Sequence, residues 1–179
     1  MRLFIAVKPD GKTLDTLVNM QEKMKKQGVY GNYTSLQNLH ITLAFIGEYD
    51  KPQKALDAMK TVKFSPFELS VKGTGSFGEL YFADMAVSDN LKEYVKDLRA
   101  ALDKAGVPYD KKKFTPHITL LRRASKPVVR NISVQSEPMT ADSVILMRSD
   151  RGERGMIYTP AGSVSGEKNQ GSKIQDQEI

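Results

Sequence analysis

The sequence predicts an α+β fold of two pseudo-symmetric lobes, in which antiparallel sheets flank a central cleft and helices lie on the outside. Two observations lead to this prediction. The tetrad His-Ile-Thr-Leu occurs twice, at residues 40–43 and 117–120, about half of the ordered chain apart. The pattern of strands and helices around the tetrads also repeats. Each half of the chain therefore supplies one tetrad-bearing strand to a shared cleft.

The first tetrad is preceded by a predicted strand, a helix and a loop. The short apolar run at residues 2–8 is typical of a buried strand. Apolar residues at helical spacing over residues 14–24 predict a helix that ends at Gly28. Residues 28–38 are polar and rich in turn-forming side chains, so we expect a loop.

The first tetrad itself lies on a strand predicted over residues 39–47. Side chains alternate between the two faces of a strand, so His40, Thr42 and Ala44 should share one face. The opposite face should carry Leu39, Ile41, Leu43 and Phe45. Pro52 suits the first turn of the helix that follows.

The second half begins with a predicted antiparallel strand pair over residues 67–77 and 80–87. The glycine-rich segment at residues 73–78 lacks the lysine of a phosphate-binding P-loop and is not followed by a helix. We therefore interpret this segment as the hairpin turn.

The second tetrad follows a long amphipathic helix, predicted over residues 91–105 and closed by Gly106. The tetrad strand should cover residues 116–121, and further strands are expected at about 128–134, 142–148 and 155–159. We assign residues 1–160 to one domain. Residues 161–179 contain no aromatic side chain and are predicted to form a disordered tail, because they can bury too little apolar surface.

Composition and charge narrow the possible classes of protein. The chain has no cysteine, which excludes disulfides, thiolate metal sites and cysteine nucleophiles. Its N-terminal apolar run is too short for a signal peptide and no segment approaches a membrane span, so we expect a cytoplasmic protein. The net charge of +6 favours polyanionic partners. The runs at 111–113 (three lysines) and 122–123 (two arginines) bracket the second tetrad, where either a solvated loop or an anion-binding patch would fit.

Each tetrad presents an imidazole and a hydroxyl on one face, and the chain has two histidines in all. Two imidazoles suit proton transfer near neutral pH, and threonine hydroxyls can donate to phosphate oxygens. A lone strand histidine is more often a core residue, but two identical tetrads that use both histidines favour a catalytic pair. A metal-dependent hydrolase remains an alternative, although it would need carboxylates to complete the metal shell.

The tetrads and their flanking residues resemble those of the 2H phosphoesterase superfamily, and in particular its RNA 2′,3′-cyclic phosphodiesterase branch (the 2′-5′ RNA ligase or LigT-like family). Residues 2–6 resemble the family's opening strand, and residues 38–48 and 114–122 resemble its two extended motifs. The resemblance covers about residues 1–160. It implies hydrolysis of an RNA 2′,3′-cyclic phosphate to a 2′-phosphomonoester without a metal. We expect a monomeric enzyme that needs no cofactor and acts on RNA ends or small cyclic nucleotides.

The resemblance also implies a role for each site residue. His40 would be the proton donor to the leaving 3′ oxygen, and His117 the proton acceptor that activates water. Thr42 and Thr119 would bind phosphate oxygens. Arg122 matches the family's arginine after the second motif, although strict alternation turns it away from His117 unless the strand ends or bulges near Leu121.

Two other functions remain open from the sequence. One is 2′-5′ RNA ligase or 2′,5′-phosphodiesterase activity on oligonucleotides, since the same step can run in reverse. The other is a non-catalytic protein that binds RNA ends. Tyr33 and Phe114 are candidates for stacking on a nucleobase, although packing roles would suit them equally well.

Overall fold

The fold is taken from a computed structural model, which describes residues 1–128, 132–134 and 136–166. In these residues the elements follow one another along the chain as β1 (Arg2–Val7), α1 (Gly11–Lys26), β2 (Asn32–Tyr33), a 3₁₀ turn (Leu36–Asn38), β3 (Ile41–Glu48), α2 (Pro52–Lys60), β4 (Phe67–Phe77), β5 (Leu80–Val87), α3 (Asp89–Ala105), β6 (His117–Arg122), β7 (Met139–Ala141), β8 (Ser143–Gly152) and β9 (Gly155–Ser165).

The strands form one sheet of nine strands in the order β7-β4-β5-β6-β3-β1-β8-β9, with β2 paired to β6 beside this path. Every pairing in it is antiparallel. The tetrad strands β3 and β6 are central neighbours, joined at the pair Ile41–Ile118. The predicted α+β class is confirmed, and the two lobes meet in one continuous sheet at their tetrad strands.

The three helices cover one face of the sheet because each carries an apolar stripe. Leu17 of α1, Met59 of α2 and Leu98 of α3 are fully buried in one core cluster. The same cluster contains Ile41 and Ile118, the inward residues of the tetrad strands. The tetrad histidines point to the other face of the sheet, which the helices leave open. Among the described residues, none of the helices has the length and apolar character of a membrane span.

A β-bulge at Leu43 changes the facing of the first tetrad strand. Two neighbouring residues of β1, Ile5 and Ala6, pair with Ala44 and Thr42 of β3. Leu43 is therefore the extra residue of β3. Leu43 and Ala44 are both buried in the core. Our prediction of strict alternation is therefore wrong after Leu43. Ala44 faces the core, and Phe45 packs on the open face of the sheet.

A second bulge at Leu120 determines where Arg122 points. Phe82 of β5 pairs with Thr119 and the neighbouring Tyr81 pairs with Leu121, so Leu120 is the extra residue. Both leucines have no exposed surface. Alternation restarts after them, and Arg122 returns to the face of the tetrad histidines. Of the two possibilities open from the sequence, the structure shows a bulge.

The buried side chain of Gln21 contacts this bulge from helix α1. Its Nε2 donates to the carbonyl of Leu120 at 3.0 Å and to that of Thr34 at 2.9 Å. The backbone N–H of Thr34 donates to the same Leu120 carbonyl at 3.0 Å. The Leu120 carbonyl therefore has two partners, one from helix α1 and one from the segment that follows β2.

The glycine-rich segment belongs mainly to a strand rather than to a turn. The predicted hairpin is present, but its turn lies at residues 78–79 and β4 continues to Phe77. Gly75 pairs with Phe82, and a Cβ at Gly75 would lie 2.5 Å from the Phe82 ring. The glycine therefore makes room for an aromatic ring on the open face of the sheet.

The C-terminal boundary of the domain also differs from the prediction. Residues 161–165, assigned from composition to a disordered tail, complete strand β9 and pair with β8 as far as Ser143–Ser165. Main-chain hydrogen bonds to β8 order this segment although it has few apolar side chains. Residues 167–179 of the predicted tail lie outside the described residues. The strand expected at 128–134 is not formed at residues 128 and 132–134, and residues 129–131 lie outside the described ranges.

Candidate active site

The pairing of β3 with β6 brings the two tetrads side by side. Ile41 and Ile118 are direct partners and both side chains are buried. The antiparallel direction of this pair turns each tetrad histidine toward the threonine of the other tetrad. Thr42 and His117 line the same pocket, and the charge of His117 acts on His40. An antiparallel pair has a local two-fold axis, so the four side chains form a two-fold arrangement on the open face. We call His40, Thr42, His117 and Thr119 the tetrad quartet.

Both histidine rings are oriented by the same local contact. Nδ1 of His40 donates to the carbonyl of Asn38 at 2.7 Å, and Nδ1 of His117 donates to the carbonyl of Thr115 at 2.6 Å. A carbonyl oxygen can only accept, so these bonds place the proton of each neutral ring on Nδ1. Nε2 is therefore the nitrogen of each ring that can exchange protons with a substrate.

The first histidine also contacts the threonine of its own tetrad. Nε2 of His40 lies 2.9 Å from the hydroxyl oxygen of Thr42. When the ring is neutral, the hydroxyl donates to Nε2; when the ring is protonated, Nε2 donates to the hydroxyl. The two groups that the sequence places two residues apart therefore form one hydrogen-bonded unit.

Strand β9 supports the ring of His40. The centroid of this ring lies 4.9 Å from that of Phe4 and 5.4 Å from that of Tyr158, whose plane is nearly perpendicular to the imidazole. The side chain of Asn38 donates from Nδ2 to the carbonyl of Met156 at 2.8 Å. This bond ties the residue whose carbonyl orients His40 to the same strand that contributes Tyr158.

The surroundings of His40 lower the pKa of its imidazole below the ordinary 6.5. Burial of the ring is the largest cause, and the hydrogen bond to the Asn38 carbonyl opposes it. The positive charges of Arg122, His117 and Lys8 lower the pKa further. Arg122 and Lys8 therefore lie near enough to His40 for their charges to act on its ring.

We expect this lowered pKa to be directly measurable, because the chain has two histidines. In an NMR titration of the free protein, His40 should titrate below 6.5, with assignment by a His117→Ala variant. Arg122→Gln should raise the pKa of His40, because it removes a neighbouring positive charge. Arg123→Gln is the matched control and should leave it nearly unchanged. A His40 pKa in the wild type that is not below the ordinary 6.5 would contradict this account.

The ring of His117 lies beside two phenylalanines of the β4–β5 hairpin. Its centroid is 5.2 Å from that of Phe82 and 6.0 Å from that of Phe77. A pocket of about 230 Å³ opens next to this ring. Its polar and aromatic lining includes Thr42, His117, Phe45, Phe77, Arg99, Asp110, Lys112, Lys113, Phe114 and Thr115.

The two aromatic residues that the sequence offered for base stacking, Tyr33 and Phe114, have different surroundings in the structure. Phe114 lines the pocket. Tyr33 does not: its hydroxyl donates to the carbonyl of Val29 at 2.6 Å, and Lys25 lies over its ring at 5.0 Å. Both side chains pack against the core, and of the two only Phe114 also lines this pocket. Several site residues were missed by the sequence analysis, since no local pattern marks them: Lys8, Phe4, Phe77, Phe82 and Tyr158.

Two acidic residues lie near His117. Asp84 of β5 pairs with His117 in the register of the sheet, and Asp110 lines the pocket. Within residues 1–128, 132–134 and 136–166, no group of three or more histidine, cysteine, aspartate or glutamate side chains lies close enough together to bind a metal ion.

Comparison with known proteins assigns the chain to a family. The sequence model of the 2′-5′ RNA ligase superfamily matches residues 16–153, which include both tetrads. The chain belongs to this superfamily. The resemblance to the 2H phosphoesterases is thereby confirmed, and with it the assignment of the chain to a family of phosphoesterases.

Curated members of the superfamily and a solved structure agree with this assignment. An RNA 2′,3′-cyclic phosphodiesterase of Thermotoga maritima is 30% identical over 131 residues, which cover 68% of this chain and 70% of the relative. One of Methanothermobacter thermautotrophicus is 26% identical over 175 residues, covering 89% and 95%. The crystal structure of a protein from Thermus thermophilus superimposes with a TM-score of 0.81 at 28% identity, covering 93% of this chain and all of the other.

Proposed function

We propose that this member of the superfamily hydrolyses the 2′,3′-cyclic phosphate of RNA ends to a 2′-phosphomonoester, by acid–base catalysis of two histidines without a metal. The tetrad quartet is the observation that carries the proposal. It presents two imidazoles with the same tautomer and two hydroxyls on one face, beside Arg122. The names of the curated relatives support the choice of substrate.

The reaction assigns one proton transfer to each histidine. The oxygen of a water molecule attacks phosphorus while Nε2 of His117 takes its proton. The bond between phosphorus and the 3′ oxygen breaks, and that oxygen takes the proton from Nε2 of His40. Attacking and leaving oxygens lie roughly in line in phosphoryl transfer, so an acid and a base are needed on opposite sides of the phosphate. The two-fold arrangement of the tetrad quartet suits this requirement.

The hydroxyls and Arg122 bind the phosphate itself. Thr42 and Thr119 can donate to the non-bridging oxygens, and Arg122 can neutralise the charge that grows on them. Both histidines come from one chain, so we propose that a monomer suffices for activity.

The lowered pKa of His40 makes its protonation depend on substrate. In the free protein at neutral pH the imidazole is mainly neutral, because its pKa is below 6.5. A bound phosphate anion favours the protonated ring and offsets the charges of Arg122 and Lys8. The acid is therefore formed mainly in the enzyme–substrate complex.

Hydrolysis of a 2′,3′-cyclic nucleotide in excess EDTA tests the proposal. We expect turnover by the wild type with chelator present and no gain on adding Mn²⁺ or Zn²⁺. Activity that is lost in EDTA and restored by metal would contradict it in favour of a metal-dependent hydrolase. Binding of an RNA with a cyclic phosphate end, without turnover under any of these conditions, would favour the RNA-end binder instead.

A further inference from the structure

We propose that the pocket beside His117 binds a second nucleotide of the RNA, the neighbour of the one that carries the cyclic phosphate. Lys112 and Lys113 would bind its phosphate and Phe77 would stack on its base. The inference rests on the proposed function and specifies its substrate. An oligoribonucleotide end, rather than a mononucleotide, is then the preferred substrate.

The lysine run at residues 111–113 is divided between two roles. Lys111 is engaged within the protein: its Nζ lies 2.5 Å from Oδ1 of Asp103 and 3.7 Å from the centre of the Tyr109 ring. Lys112 and Lys113 line the pocket instead. The Nζ of Lys112 is 4.0 Å from Asp110, at the outer limit of an ion pair, and its side chain is 89% exposed. A phosphate could therefore displace this weak contact.

The backbone of this lysine loop is fixed in position. Asp110 accepts a hydrogen bond from the N–H of Lys112 at 2.9 Å, and Arg99 donates from its guanidinium to the Lys112 carbonyl at 2.7 Å. The same guanidinium reaches the carbonyl of Leu43, the bulge residue of β3, at 3.3 Å. Arg99 therefore links the lysine loop to the tetrad strand. These hydrogen bonds hold the pocket next to the tetrad quartet.

Phe77 is the exposed aromatic side chain of this pocket. It has 57% of its surface exposed, although its ring lies 4.7 Å from Phe82 and 6.0 Å from His117. A phenylalanine that is more than half exposed beside a catalytic ring contributes little to the core. Proteins that bind single-stranded RNA use such rings to stack on bases, while nearby cationic side chains follow the phosphates.

The test compares a 2′,3′-cyclic mononucleotide with a dinucleotide that ends in the same cyclic phosphate. We expect the wild type to have a kcat/KM for the dinucleotide at least about tenfold above that for the mononucleotide, since the second base can stack on an aromatic ring and the second phosphate can contact the lysines. The double variant Lys112→Gln/Lys113→Gln should reduce this ratio to about twofold or less, and Phe77→Ala should reduce it by about five- to tenfold. Phe77→Trp should retain it, because a larger ring stacks at least as well.

Single variants provide the matched control: Lys111→Gln removes the same charge from the same run as Lys112→Gln or Lys113→Gln, which should each lower the dinucleotide preference. Lys111→Gln should keep the dinucleotide preference. An equal effect of all three lysines would mean long-range attraction only and would overturn the proposal. The preference should also fall with salt, more steeply in the wild type than in the double variant, because each lysine–phosphate contact on single strands contributes about 0.7 to the salt slope.

The two proposals can fail separately. Equal kcat/KM values for the mononucleotide and the dinucleotide in the wild type would overturn the second-nucleotide pocket and leave the proposed hydrolysis intact. No turnover of either substrate would overturn both.

Discussion

Replacing either tetrad histidine should lower kcat for cyclic phosphate hydrolysis by about 10²–10⁴-fold, the usual contribution of one positioned acid or base. His117→Ala removes the group that takes the proton from water. His40→Gln removes the group that protonates the 3′ oxygen, while it retains much of the side-chain volume that packs against Phe4 and Tyr158. Steady-state kinetics with a cyclic mononucleotide measures both effects.

The double variant His40→Gln/His117→Ala tests whether the two histidines act in the same step. Two groups that act in one concerted step lose their benefit together, so the combined loss should be much smaller than the product of the two single losses. Thermal unfolding of each variant controls for misfolding. Folded variants that keep kcat within about tenfold of the wild type would contradict the catalytic roles. If the wild type shows no turnover and the variants bind the substrate more weakly, the results would favour the RNA-end binder.

Arg122→Gln should lower kcat/KM by about 10- to 100-fold. The variant loses a charge-assisted hydrogen bond to the phosphate, worth about 1.5–3 kcal/mol, and each 1.4 kcal/mol is tenfold in rate or affinity. Arg122→Lys should recover only part of the loss, because a lysine ammonium cannot make a bidentate contact with phosphate oxygens.

The neighbouring arginine provides the control for this second prediction. Arg123 has the same charge but adopts a positive φ of 54° just after β6 ends. It is not among the charges that lower the pKa of His40. Arg123→Gln should therefore change kcat/KM by less than about threefold, as expected for an exposed charge without a specific contact. Equal losses in the two variants would indicate that net positive charge matters and that Arg122 has no specific contact.

The tetrads could be predicted from the sequence because their geometry is local. Residues two apart share a face of any strand, so His40 and Thr42 must lie together wherever β3 pairs. From the last residue of each tetrad onward this rule failed, because bulges at Leu43 and Leu120 shift the alternation. The bulge at Leu120 is contacted by a distant segment, since the amide of Gln21 donates to the carbonyl of Leu120. No residue pattern within the strands predicts such a contact.

The rest of the site depends on pairings that only the fold establishes. Phe77 reaches His117 through the β4–β5 hairpin, and Tyr158 reaches His40 from strand β9. Residues 161–165 have the composition of a linker, yet they are ordered by hydrogen bonds to β8. In each case the decisive partner is far away in the sequence, so composition and periodicity carry no signal for it.

The most direct test of the two-histidine hydrolysis is the position of the phosphate in the product. Wild-type protein, a 2′,3′-cyclic nucleotide and excess EDTA should be followed by ³¹P NMR, with 2′- and 3′-nucleotides as standards. Protonation of the 3′ oxygen by His40 predicts that the 2′-phosphate accumulates alone and that His40→Gln abolishes its formation on the same timescale. Accumulation of the 3′-phosphate, or the same rate of product formation in His40→Gln, would contradict the account.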